Sequence, residues 1–219
     1  MKRVIFICAI LVSISVLAAG CDLPRRFRYL TAPPESGDVL FFDDFSARAS
    51  WDTWNEEQSI VDYSSGGLRF FINQPNYDYW SILDDYFEDT KIDVDVTKVN
   101  GPEDNSFGVL CRYKNQKNYY QFLVSSDGYF GIVKVLDGQR SVISSEQLQY
   151  DEVIVSGNGG LNHIQAVCLG SSLTLSINDV LLASAYDTDL IEGKVGLAAG
   201  TNAERAVDVL FDNFRVTQP

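Results

Sequence analysis

From Asp38 to the C-terminus, apolar residues recur at every second position in short runs punctuated by Gly, Asn, Asp and Ser. The run Lys91-Ile92-Asp93-Val94-Asp95-Val96-Thr97 shows the pattern most clearly, with Ile92, Val94 and Val96 alternating with polar residues. Period two is the signature of a half-buried β-strand, because successive side chains leave opposite faces of the pleat. It predicts strands over Val39–Phe45, Ser59–Tyr63, Leu68–Asn73, Tyr79–Leu83, Lys91–Val99, Ser106–Tyr113, Tyr119–Ser125, Tyr129–Leu136 and Ser141–Ser144. The same pattern continues over His163–Leu169, Leu173–Asn178, Leu181–Ala185, Lys194–Ala199 and Val207–Val216. Ser126-Asp127-Gly128, Asp137-Gly138 and Asn178-Asp179 supply hairpin turns, since these residues accept positive φ. Gly157-Asn158-Gly159-Gly160 is a longer loop; no helix follows to make it a phosphate cradle. With no βαβ units and no internal repeat, the fold class is all-β, an antiparallel sandwich or barrel.

The N-terminal stretch is different. Lys2 and Arg3 precede an apolar run, Val4 to Val16, which ends in Val16-Leu17-Ala18-Ala19-Gly20-Cys21. This resembles a bacterial lipoprotein signal, and the resemblance implies cleavage behind Gly20 and lipidation of Cys21. An ordinary secretory signal would give the same compartment, and the apolar run sits at the short limit for a membrane span. The reading is therefore a signal over 1–20, a lipidated Cys21 with a proline-rich tether over 21–37, and one domain over 38–219, held outside the cytoplasm on a bacterial membrane. Arg25, Arg26 and Arg28 stand just behind the anchor, either against headgroups or as part of a solvated linker.

Charge narrows the partners. The chain carries 17 Lys+Arg against 30 Asp+Glu, a net charge of −13, and both basic residues of the signal are lost with it. That excludes nucleic acid as a partner and leaves the lipid anchor as the membrane contact. Of the four cysteines, Cys8 leaves with the signal and Cys21 is consumed by lipid, so Cys111 and Cys168 remain as a pair in an oxidising compartment. A disulfide between two strands distant in sequence is expected, with two buried thiols as the alternative. His163, the single histidine, has no partner spacing for zinc and no nucleophile elbow for a Ser-His-Asp triad.

Phe41-Phe42-Asp43-Asp44-Phe45 opens the domain and Leu210-Phe211-Asp212-Asn213-Phe214 closes it, with FGVLCRY, NYYQFLVSSDGYFGI, SSLTLSINDVLLASAYD and GKVGLAAGT between them. This layout resembles the concanavalin A-like lectin/glucanase superfamily, near its laminin G-like and 3-keto-disaccharide hydrolase-type members, over essentially Val39 to Val216. The resemblance implies a jelly roll of two antiparallel sheets, one of them concave, with the first and last strands adjacent. It also implies a calcium position near those strands, with Asp212 as its carboxylate and Asp43 and Asp44 as further donors, although folding requires no cofactor. Glucanases of the superfamily use a Glu-x-Asp-x-x-Glu strand, which this chain lacks; Asp93 and Asp95, about 6–7 Å apart on one strand face, are the nearest substitute.

Strand parity turns Arg69, Arg112, Tyr119 and Gln121 away from the core, a set suited to sugar hydroxyls beside a ring that stacks on a pyranose; the alternative is a solvated face with Arg112 paired to Asp93 or Asp95. Parity also puts Tyr113 in the core, and Trp80 beside Ile82. The function expected is non-catalytic binding of a glycan or cell-envelope polysaccharide. The competing expectations are a glycoside or disaccharide hydrolase using concave-face carboxylates, and a protein-binding adhesion module.

Overall fold

A computed structural model describes residues 33–219. The signal segment, Cys21 and the tether up to residue 32 lie outside the described residues. The described chain is all strand and loop, with no helix, and every strand pairing is antiparallel. In chain order the strands are β1 (Val39–Asp43), β2 (Trp54–Asn55), β3 (Ser59–Ser64), β4 (Gly67–Ile72), β5 (Tyr77–Phe87), β6 (Thr90–Asn100), β7 (Asn105–Asn115) and β8 (Asn118–Val124). There follow β9 (Tyr129–Leu136), β10 (Gln139–Val142), β11 (Gln149–Tyr150), β12 (Leu161–Leu169), β13 (Ser172–Ile177), β14 (Val180–Tyr186), β15 (Gly193–Thr201) and β16 (Val207–Thr217). The two-residue strands β2 and β11 are too short to show a period and were not expected from the pattern.

One sheet runs β14-β13-β12-β6-β16-β4-β3-β2, with β1 also on β16; the other runs β10-β9-β8-β7-β15-β5, with β11 also on β9. The final strand thus lies inside the nine-stranded sheet, with β6 along one side and β4 and β1 along the other. Val39 stands opposite Thr217, so the first and last strands are adjacent, and hydrogen bonding to the sandwich begins ahead of Asp38, where Gly37 N–H donates to Gln218 O at 2.9 Å. Asn178 and Asp179, at φ 51° and 67°, and Asp137 and Gly138, at 49° and 80°, make hairpin turns with both central residues left-handed, as strand twist prefers.

Alternate residues of the two sheets meet in a core in which Phe70, Ile92, Val94 and Phe211 face Val109, Tyr120, Phe122 and Leu197. Cys111 on β7 and Cys168 on β12, both fully buried, form the expected disulfide and join the sheets through that core. Trp51 caps one end, edge-on to Phe214 at 4.9 Å, with its indole N–H donated to Asp43.

Polar clamps tie the β5–β6 turn and the segment after β14 to the seven-stranded sheet. Arg112 has φ 51° at a bulge in β7 and is 2% exposed; its guanidinium donates to Leu190 O at 2.9 Å, Glu88 O at 3.2 Å and Asp89 Oδ1 at 3.2 Å. Next to it Tyr120 donates its hydroxyl to Asp187 at 2.6 Å, and Lys134 binds both Asp187 and Asp189. Burial by itself would raise the Asp187 carboxyl, but the Lys134 and Tyr120 hydrogen bonds outweigh it and hold the group below the ordinary carboxylate range. The folded value lies below the unfolded one, so this stabilisation is present above the unfolded value and is lost as pH falls through the folded one. Urea midpoints measured at about pH 6 and about pH 3 are expected to converge in Asp187→Asn relative to the parent protein. An unchanged acid limb would show that other carboxylates set it.

Candidate functional site

The seven-stranded sheet carries apolar side chains on both faces. Turned away from the core are Ile82 on β5, Leu110 on β7, Tyr119 and Leu123 on β8 and Val133 and Val135 on β9, which form a second buried cluster. A sheet face open to water would expose them. Two features cover them instead. The segment from β10 to β11 folds Val142 and Leu148 onto the cluster, and Leu148 lies where a Cβ on Gly131 would stand. The sheet also curls. Arg140 on β10 reaches Asp78 on β5 at 3.1 Å, although these strands are the two ends of the sheet order. Five steps of ~4.8 Å would separate them by about 24 Å in a flat sheet, beyond the reach of an arginine and an aspartate together. The outer face is therefore a trough.

Three aromatic rings meet in it. Trp80 stands 6.0 Å from Tyr119 and 6.5 Å from Tyr113, the two tyrosines are 5.8 Å apart, and the Trp80 indole N–H donates to Tyr113 Oη at 3.3 Å. Tyr119 is 6% exposed, and burial raises its hydroxyl above the ordinary tyrosine range, so it remains a protonated donor at all physiological pH. Beside it Gln121 is 2% exposed, yet its amide makes no hydrogen bond to a described residue and is not among the fully water-excluded unpartnered atoms. Neither its donor nor its acceptor is engaged by a described residue.

At the rim, Ser106 Oγ donates to Asp78 at 3.2 Å from the side opposite Arg140. Gly200 makes that approach possible, since a Cβ there would lie 1.8 Å from Asp78 Oδ1 and 2.6 Å from Ser106 Oγ. Beneath the bridge is an open cleft of about 340 Å³ lined by Asp78, Ser106, Leu123, Arg140, Leu148 and Thr201 among others.

The residues singled out from the sequence do not share one face. Tyr119 and Gln121 are in the trough. Arg112 is not: the bulge buries it, its guanidinium is spent on internal acceptors, and neither Asp93 nor Asp95 is its partner. The same bulge brings Tyr113, assigned to the core by parity, out into the trough. Arg69 is on the nine-stranded sheet, doubly bonded to Asp208 at 2.8 and 2.6 Å with its guanidinium over the Phe71 ring.

Asp93 and Asp95 are on the outer face of that same sheet, across the core from the trough. Asp93 accepts from Gln165 at 2.8 Å; Asp95 accepts from Asn213 at 2.9 Å and lies 2.8 Å from His163 Nδ1. The three aspartates considered for calcium are separately engaged. Asp43 accepts from Phe45 N–H and Trp51 Nε1, Asp44 from Ser46 N–H and Asp212 from Asn213 N–H. Among the described residues no three His, Cys, Asp or Glu side chains converge as a metal site.

Sequence reasoning missed Asp78, Ser106 and Arg140. Arg140 follows the Asp137-Gly138 turn, and its register opposite Val135 carries it to the Val135 face. That signal was legible, but its meeting with Asp78 depends on sheet curvature, which no local pattern encodes.

No protein-family model and no curated protein sequence matches the chain. Solved structures do share its fold. The carbohydrate-binding module CBM66 from Bacillus subtilis superposes with a TM-score of 0.62 at 19% identity, over 77% of this chain and 96% of that one. A Bacillus subtilis protein of unknown function with a galectin-like fold gives 0.63 at 10% identity, over 84% and 97%. The Bacillus licheniformis β-glucanase gives 0.59 at 10% identity, over 82% and 98%. At these identities the likeness establishes a concanavalin A-like jelly roll.

Proposed function

We propose that the protein is a carbohydrate-binding module that holds a neutral saccharide in the trough without cleaving it. The observation that carries this reading is the aromatic group Trp80, Tyr113 and Tyr119 lying beside the unpartnered amide of Gln121. Rings offer stacking surfaces to the C–H faces of a pyranose, and a free amide pairs with its hydroxyls in both senses. A neutral ligand is favoured because the chain carries a net charge of −13 and the rim cation Arg140 is already paired with Asp78. The non-catalytic part of the reading is supported by the position of Asp93 and Asp95, which face away from the trough and are held by His163, Gln165 and Asn213. The fold shared with a carbohydrate-binding module raises the prior for this reading and does not by itself decide it.

A glycan array probed with the sandwich Pro34–Pro219, a compact unit on its own, is expected to return selective binding to neutral saccharides. Trp80→Ala or Gln121→Ala is expected to weaken that binding at least about tenfold, the loss typical of a central contact residue. Running the array with calcium and again with chelator tests Asp212, Asp43 and Asp44 as ion donors. A blank array from protein shown to be folded would sink the reading in favour of a protein-binding module. Hydrolysis of a bound saccharide would favour the enzyme.

We further propose that this module is held outside the cytoplasm by lipid on Cys21. The lipobox-like run ahead of Cys21 supports this, as does a buried disulfide of the kind that persists in oxidising compartments. Partition of the full chain into the detergent phase is expected and is lost in Cys21→Ser; partition unaffected by that change would overturn the anchor.

A further inference from the structure

The trough is crossed by its own ion pair. Arg140 and Asp78 come from opposite ends of the sheet, meet at 3.1 Å, and keep side-chain exposures of 42% and 33%. Leu123 lines the same cleft as the pair, Tyr119 lies close enough for both charges to act on its hydroxyl, and Trp80, two residues from Asp78 on β5, packs against Tyr119. A saccharide ring stacked on Trp80 and Tyr119 therefore comes up against the bridge.

We propose that the Arg140–Asp78 pair is a latch that closes the trough, so that ligand binds in competition with it. The proposal rests on the trough being the saccharide site. An ion pair this exposed is weak and screened by salt, so the latch opens readily. Its closed state lowers apparent affinity by the fraction of molecules that are open, a penalty of no more than about fivefold. The sign of the salt effect follows. Affinity for a neutral saccharide rises with ionic strength, because salt releases the latch and leaves ring stacking untouched.

The test places 5-fluorotryptophan in the protein and follows the three tryptophans by fluorine NMR, with Trp80→Phe assigning the Trp80 resonance. Its H₂O/D₂O isotope shift reports exposure without any ligand. The expected result is a Trp80 shift that grows with added NaCl in the parent protein. In Arg140→Gln and in Asp78→Asn it is already large and indifferent to salt. A Trp80 exposure unmoved by salt and by both substitutions overturns the latch, whatever the array shows. An exposure that responds as expected while no neutral saccharide binds leaves the latch standing and overturns the saccharide reading instead. Affinity that falls with salt in the parent protein overturns the competition.

Discussion

Replacing both halves of the inter-sheet disulfide, Cys111→Ala with Cys168→Ala, is expected to cost about 4 kcal/mol of stability. The bridge closes a loop of 57 residues, and the unfolded chain without it regains the conformations that the closure had removed. The effect is read as a shift in the denaturation midpoint with little change in the folded spectrum. Both sulfurs are fully buried in the core between the sheets, so reductant reaches them by way of local or global opening. Dithiothreitol at room temperature is therefore expected to leave the folded protein oxidised, while the same reagent near the unfolding transition lowers the midpoint to that of the double variant. Rapid reduction under native conditions would contradict the placement of the bridge.

The second large effect is at Arg112. Arg112→Met is expected to destabilise by about 3 kcal/mol, or about 10 °C in Tm for a domain of this size. The loss comes from buried acceptors left without donors, chiefly Leu190 O, and from Asp89, which retains Gly170 N–H as its other partner at 2.8 Å. Partial solvent access to Asp89 keeps the figure below the upper range for a broken buried ion pair. Lysine cannot replace the guanidinium, because three acceptors in different directions need the planar fork. Arg112→Gly separates the causes. Glycine sheds the positive-φ strain that arginine and methionine share, so if the clamp is the cause its loss is expected to be smaller than that of methionine yet still well above zero. A binding defect in Arg112 variants that keep full stability would contradict this assignment and return the residue to the ligand site.

Cys111, Cys168 and Arg112 also mark what the chain discloses by inspection. Cys111 and Cys168 were legible as a pair once the signal-like run set Cys8 and Cys21 aside, although two buried thiols fitted the same count. Strands such as β6 and β13 were legible because a half-buried strand writes its period into every second residue. β2 and β11 were not, since two residues have no period. Arg112 misled because the bulge in β7 carries no glycine to announce it; parity counted through the bulge sends Arg112 outward and Tyr113 inward, the reverse of their positions. Long-range polar partners were equally hidden: Arg69 and Asp208 lie 139 residues apart, and Arg140 and Asp78 meet through curvature accumulated over the whole sheet. The trough aromatics fall between these cases. Tyr119 was placed by parity with its neighbours, whereas Trp80 beside Ile82 read as core, because an apolar alternate face in a curled sheet looks the same as an interior one.

The placement of β16 bears on when the molecule comes into being. The strand made last is hydrogen-bonded to β6 on one side and to β4 and β1 on the other. Until Val207–Thr217 has been synthesised, β1 has no partner, and the β2-β3-β4 group and the strands grouped on β6 are separate fragments of sheet. The interior of the sandwich cannot close around half a floor. A nascent chain of this topology therefore emerges without its native structure and stays threadable through a narrow channel until Val207–Thr217 has come out.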